Sequence, residues 1–329
     1  MILTKFWSIT LVVAVALVVA CGGAAPPAST PDRLVPAQAN LIAQVQVDRI
    51  LQDADLQGLY QQAPKNFDDP QTLDEALNLA FEASGIDFRS FRTVTLFSDV
   101  AQAEDYIGVI AKGQFDEARL VAAIQEEAGV GFTSREYKGV TLHVDESDSD
   151  VPALAVLDSD TLVAGTVPAV ENVIDVWDSS LPPISGKAYD TFSSMGTPLL
   201  RMAMTVPPEA LGELNNSLGS GMSFAPAAMS AVQDLEVVAV MADKNGDAIQ
   251  FRADLDFFTA DSATQLGDMI DGLIKFVSGI SPDPNLPKLL NMLDIDVIDN
   301  RLTVNFQTTI SELQELAEGM GNGIAGFAP

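Results

Sequence analysis

The chain holds one histidine and one cysteine in 329 residues. Any nucleophile activated by an imidazole must therefore depend on His143, since Ser-His and Cys-His chemistry needs that base within reach of the attacking atom. His143 lies in the alternating run GVTLHV, where Val140, Leu142 and Val144 share one strand face and Thr141 and His143 share the other. The functional reading is a general base. The alternation instead predicts a solvent-facing residue of a half-buried strand, and no G-x-S-x-G elbow accompanies it. The single cysteine excludes an intramolecular disulfide framework and Cys-based zinc sites, and the single histidine excludes two-His metal motifs.

Carboxylates are the abundant chemistry. Asp145, Glu146, Asp148 and Asp150 form the run DESDSD, whose hard oxygens suit Ca²⁺ in a flexible loop. The plainer reading is a solvated loop between two strands, and it is the one taken. Asp243, Asn245, Asp247 and Asp254 stand at positions 1, 3, 5 and 12 of a calcium loop, but position 6 is Ala248 and position 12 is not Glu. Asn245-Gly246 reads better as a type I′ hairpin turn. A carboxylate pair for glycoside hydrolysis is allowed by the acid count, yet Trp177 is the only tryptophan beyond residue 20 to serve as a sugar platform. There is no P-loop and no G-x-G-x-x-G. The uncharged stretch GSGMSFAPAAM carries Met222, Phe224 and Met229, adaptable apolar groups that could line a hydrophobic groove or close it as a lid. The sequence thus predicts no catalytic residue, no resident metal and no cofactor.

Composition narrows the partners. With 17 Lys+Arg against 46 Asp+Glu the net charge is −29, which rules against nucleic acid because phosphate contacts need a basic surface. Hydrophobic residues at 47% with 19% charged fit a chain that buries a large core. The acidity itself keeps an exposed protein soluble.

The N-terminus reads MILTKFWSITLVVAVALVVAC: Lys5 is a short positive region and 6–20 an apolar one, too short for a spanning helix of about 20 residues. It ends in Val18-Val19-Ala20-Cys21, followed by Gly22. This resembles a bacterial lipobox, which implies that Cys21 is lipidated and becomes the first mature residue, with the membrane as a partner through that anchor. Residues 22–35 are small residues and proline with one charge pair, and read as a tether.

Elements that would position these groups follow from periodicity. NLIAQVQV from Asn40 alternates as a strand, and Asp48 caps a helix to about residue 60. A helix over 73–83, strands from Phe91 and Tyr106, and a helix over 115–128 come next. Hairpins turn at Lys138-Gly139 and at 158–160, and a helix over 168–177 is capped by Thr166. Residues 178–187 read as a linker. The order then restarts: a strand at 199–204, a helix from Pro207, a hairpin at Asn245-Gly246, a long helix over 261–277, a hairpin at Asp299-Asn300 and a helix over 309–317. The expected fold is α+β, two related halves of antiparallel sheet with packed helices. Its segments are a signal peptide at 1–20, a tether at 21–35, and halves at 36–180 and 181–329.

The strand-helix opening after Pro36, the Tyr137-Lys138-Gly139-Val140 hairpin and the GTVPAVENVIDVW segment resemble a group of exported bacterial proteins classed as domains of unknown function. That resemblance implies an extracytoplasmic location and brings no catalytic residues. The expected function is a non-enzymatic, lipid-anchored surface module. The alternative is a carrier holding a hydrophobic molecule or lipid between sheet and helices, and a third is a hydrolase using carboxylates.

Overall fold

The computed structural model describes residues 31–62, 70–84, 87–102, 105–128, 131–145, 153–208, 210–211, 226–280, 287 and 290–312. The fold is α+β, built on antiparallel strand pairs. The chain divides into two compact units, one through Met202 and one from Ala203.

The first unit opens with a 3₁₀ turn at Pro31–Leu34 and strand β1 (Leu41–Gln46). The helix predicted from Asp48 to residue 60 is broken in two, α1 (Val47–Gln52) and α2 (Ala54–Gln62). Asp53 causes the break: its Oδ1 accepts from the N–H groups of Asp55 and Leu56, both at 3.1 Å, which starts a new helix there. Helix α3 (Leu73–Ser84) begins with a capping box, in which Glu75 N–H donates to Thr72 Oγ1 and Thr72 N–H to Glu75 Oε2.

Strands β2 (Phe91–Ser98) and β3 (Ile107–Gly113) lead to α4 (Glu117–Ala128), then β4 (Phe132–Tyr137), β5 (Val140–Asp145), β6 (Ala153–Asp158) and β7 (Thr161–Gly165). Helices α5 (Val167–Trp177) and α6 (Lys187–Ser194) and the start of β8 (Leu200–Thr205) complete the unit. Thr166 holds the N-cap position of α5 but makes no side-chain cap bond, and its buried hydroxyl has no partner. The stretch predicted as a linker is docked: Ile184 N–H donates to Val35 O at 2.7 Å, and Ala37 N–H to Pro182 O at 3.2 Å.

Strand order in this unit is β1-β2-β3-β7-β6-β5-β4, so β4 is an edge. The register assigns the two faces. Val45, Val94, Ala111, Leu162 and Val156 oppose one another across five strands and pack with Leu120 of α4 and Phe91. Leu154 continues that face, His143 opposes Leu154, and Ser134 opposes His143. On the other face Ile110, Val163, Ala155 and Leu142 oppose in turn and are buried. There Arg135 pairs with Glu171, and Tyr137 and Lys138 bond Asp175, all on α5. The inner strands are covered on both faces and bury both sets of side chains, while the edge strand β4 leaves residues 133–136 exposed.

The second unit continues β8 and adds α7 (Pro226–Gln233), β9 (Leu235–Asn245), β10 (Ala248–Phe257), α8 (Ala260–Ile280), β11 (Leu293–Ile298) and β12 (Arg301–Thr309). Strand order is β11-β12-β10-β9, with Ala263 and Leu266 of α8 packed with Leu302 and Phe257. The β9–β10 hairpin forms, but Asn245 pairs with Ala248, so its loop is Gly246-Asp247. Only Gly246 has positive φ, at 59°, which is the type II′ pattern in place of the type I′ turn expected. Thr309 and Glu312 form a second capping box at the end of β12; the predicted helix beyond it, 313–317, lies outside the described residues.

Candidate functional site

His143 is 8% exposed, not solvent-facing as its strand alternation predicts. At His143 the face it shares with Thr141 meets α4, while Thr141 itself stays exposed. Both ring nitrogens are engaged. Nε2 lies 2.9 Å from Glu117 Oε1, on the first turn of α4, and Nδ1 lies 2.9 Å from Ser134 Oγ. A carboxylate only accepts, so Nε2 carries the proton in the neutral ring, and Nδ1 accepts from the serine hydroxyl. The Phe132 ring meets the imidazole edge-on at 6.5 Å between centroids. The two-residue turn Lys138-Gly139, with φ of 51° and 80°, fixes the register that sets Ser134 opposite His143. Ser134 is exposed. A shielded base thus stands between an open hydroxyl and an orienting carboxylate.

Two further polar clusters lie in the same unit, the first of them buried. Arg201 and Asp32 are each 4% exposed. Arg201 Nε and Nη2 donate to Gln44 Oε1 at 3.2 and 2.8 Å, Nη1 donates to Phe192 O, and the guanidinium lies 3.9 Å from the Phe192 ring centroid. Asp32 Oδ2 accepts from Tyr189 Oη at 2.9 Å, and Oδ1 stands 3.9 Å from Arg201 Nη2. Burial pulls the guanidinium below its ordinary value, against the charge of Asp32. The arrangement ties the Pro31–Leu34 turn to β8 and α6. Sequence alternation carries no trace of it, because Gln44 and Asp32 each lie 157 positions from the residues that donate to them, Arg201 and Tyr189.

The other cluster surrounds Lys112, which bonds Thr161 Oγ1 and, at 3.0 Å, Asp160 Oδ1. Burial pushes the Asp160 carboxyl up, but hydrogen bonds from Lys112 and Arg92 and within the 158–160 turn outweigh it and hold it at about 2. Thr161 is fully buried, whereas the Asp160 side chain stays partly exposed.

The residues singled out from the sequence fall elsewhere. Cys21, Glu146, Asp148, Asp150, Met222 and Phe224 lie outside the described residues; Asp145 closes β5 and Met229 sits in α7, with their side chains outside that set. Asp243 and Asp247 belong to the β9–β10 hairpin, and Asp254 lies inside β10, where it accepts from Arg252 Nε and Thr303 Oγ1. Together with Asn245 these positions form a hairpin and its following strand, not a calcium loop. Among the described residues no group of three or more His, Cys, Asp or Glu side chains is placed to hold a metal ion. The described residues also contain no helix long and apolar enough to cross a membrane. Two open depressions among them are about 280 Å³ each, one beside Asn78 and Leu79, the other between Gln52, Gln57, Leu73 and Arg89.

No family model and no curated protein matches the chain. Among solved structures it is similar to three crystal forms of TP0453, a Treponema protein. Forms III, I and IV give TM-scores of 0.48, 0.48 and 0.47, each at 10% identity, over 88%, 89% and 88% of this chain and 97%, 98% and 97% of that one.

Proposed function

We propose that the protein is a lipid-anchored extracytoplasmic binding module, held to the membrane through Cys21, whose second unit meets a protein partner through apolar surface. The observation that carries this reading is α8. Its first half buries Ala263 and Leu266, while further along Leu273 and Phe276 are 51% and 62% exposed. These two stand three residues apart and share one helix face. Phe258, just before the helix, and Ile298, ending β11, are 66% and 68% exposed. Large apolar groups left open in a chain of net charge −29 mark a surface that a partner covers.

A carrier would instead need an enclosed apolar cavity of several hundred Å³; the two depressions by α2 and α3, among the described residues, are open. The test places a photoreactive residue at Phe276 in the full chain on intact membranes, with Gln250, exposed on β10, as control. A discrete crosslinked product at 276 and none at 250 is expected. Equal products at both positions, or none at 276, would overturn the binding surface.

A further inference from the structure

We propose that Ser134 is a nucleophile that takes an acyl group from activated carboxylic esters, with His143 as its base and Glu117 as the residue that orients the base. This goes beyond the binding reading, which concerns the other unit and stands or falls separately. A tie between α4 and the sheet would need only His143 and Glu117. The third member is an exposed hydroxyl on the one ring nitrogen that remains an acceptor, 2.9 Å away. That is the order of groups nucleophilic catalysis requires: attacking oxygen, base, carboxylate. The ring presents Nδ1 to the serine and Nε2 to the carboxylate, and either nitrogen of a neutral imidazole can serve as the base.

The surroundings suit an ester. β4 is the last strand of its sheet, so alternate N–H groups on it face away from β5 and can donate to an oxyanion. Phe132 lies two residues from Ser134 on the same face, against His143, and offers an apolar wall to a short acyl chain. In the reaction Ser134 Oγ bonds to the carbonyl carbon while its proton passes to His143 Nδ1. Glu117 balances the imidazolium. The intermediate collapses with cleavage of the bond to the leaving oxygen, which takes the proton back from Nδ1. The products are acyl-Ser134 and the free alcohol.

The test uses the full chain in detergent micelles with p-nitrophenyl acetate. Intact mass and peptide mapping should find one acetyl group on Ser134, formed with a matching burst of nitrophenolate. His143→Gln should slow that acetylation about 10²-fold, the scale of a lost general base. Glu117→Ala should slow it less. Acetyl groups on lysines only, or acetylation of Ser134 unchanged by His143→Gln, would overturn the proposal. The wild-type pH profile gives a reading that no variant's folding can blur. The rate should rise along one ionisation and then level, and a rate that tracks hydroxide without a plateau would overturn the proposal equally.

Discussion

At the Ser159-Asp160 turn, three cationic or hydrogen-bonding neighbours outweigh burial, and the Asp160 carboxyl titrates at about 2 against an ordinary 3.8. A carboxyl lowered in the folded state stabilises it above the unfolded value, and that contribution is lost as pH falls through the folded one. Asp160→Asn should therefore lower stability at pH 7, and the gap to wild type should narrow from about pH 4 and close near pH 2. Urea unfolding followed by Trp177 fluorescence across that range checks it, and a gap independent of pH would contradict it. The same scale shows what a single sequence hides. The alternation of GVTLHV separates Leu142 from His143 correctly, but which face meets water depends on α4, and nothing in the strand reports that helix. The pairing of Ser134 with His143 was readable, since a two-residue loop at Lys138-Gly139 fixes it. The approach of Glu117 from 26 residues away was not.

At the scale of elements, local chemistry carried most of the information. The T-x-x-E spacing at Thr72 and Thr309 produces capping boxes, and Gly-containing turns close the hairpins. Errors arise where a side chain competes with a periodic pattern, as when Asp53 restarts a helix whose apolar spacing runs through it. Composition misleads at 178–187, because a stretch of Ser, Pro and Gly that looks loose is paired with the segment before β1. Cross-strand packing sets a further constraint. Gly108 opposes Phe97 between β3 and β2, and a Cβ there would lie 2.2 Å from Phe97 Cζ, on a ring with no exposed surface. The ring cannot swing into solvent, so Gly108→Ala should cost about 2 kcal/mol, within the usual range for overpacking. The midpoint of urea unfolding measures it, and an unchanged midpoint would contradict the close approach.

Across the whole molecule, the order strand, helical segment, hairpin, long helix, hairpin occurs twice: from β1 to β5 and from β8 to β12. In the second unit β10 pairs directly with β12, whereas in the first the β6–β7 hairpin stands between β3 and β5. This is the hairpin that the sequence predicts at 158–160. The sequence placed it because hairpin signals are local; its insertion between two strands is a long-range pairing that no local pattern encodes. The division between units falls within β8, where the chain runs as regular strand and composition gives no mark. Function at this scale rests on the anchor. Cys21, the chain's only cysteine, is proposed to carry lipid, and two or more acyl chains give stable membrane binding where one does not. The most direct measurement is metabolic labelling of the full chain with an alkyne fatty acid, beside Cys21→Ser, followed by membrane fractionation. Labelled wild type in the membrane, with the variant unlabelled, is the predicted result. Wild type recovered in the membrane with Cys21 unmodified would contradict the account.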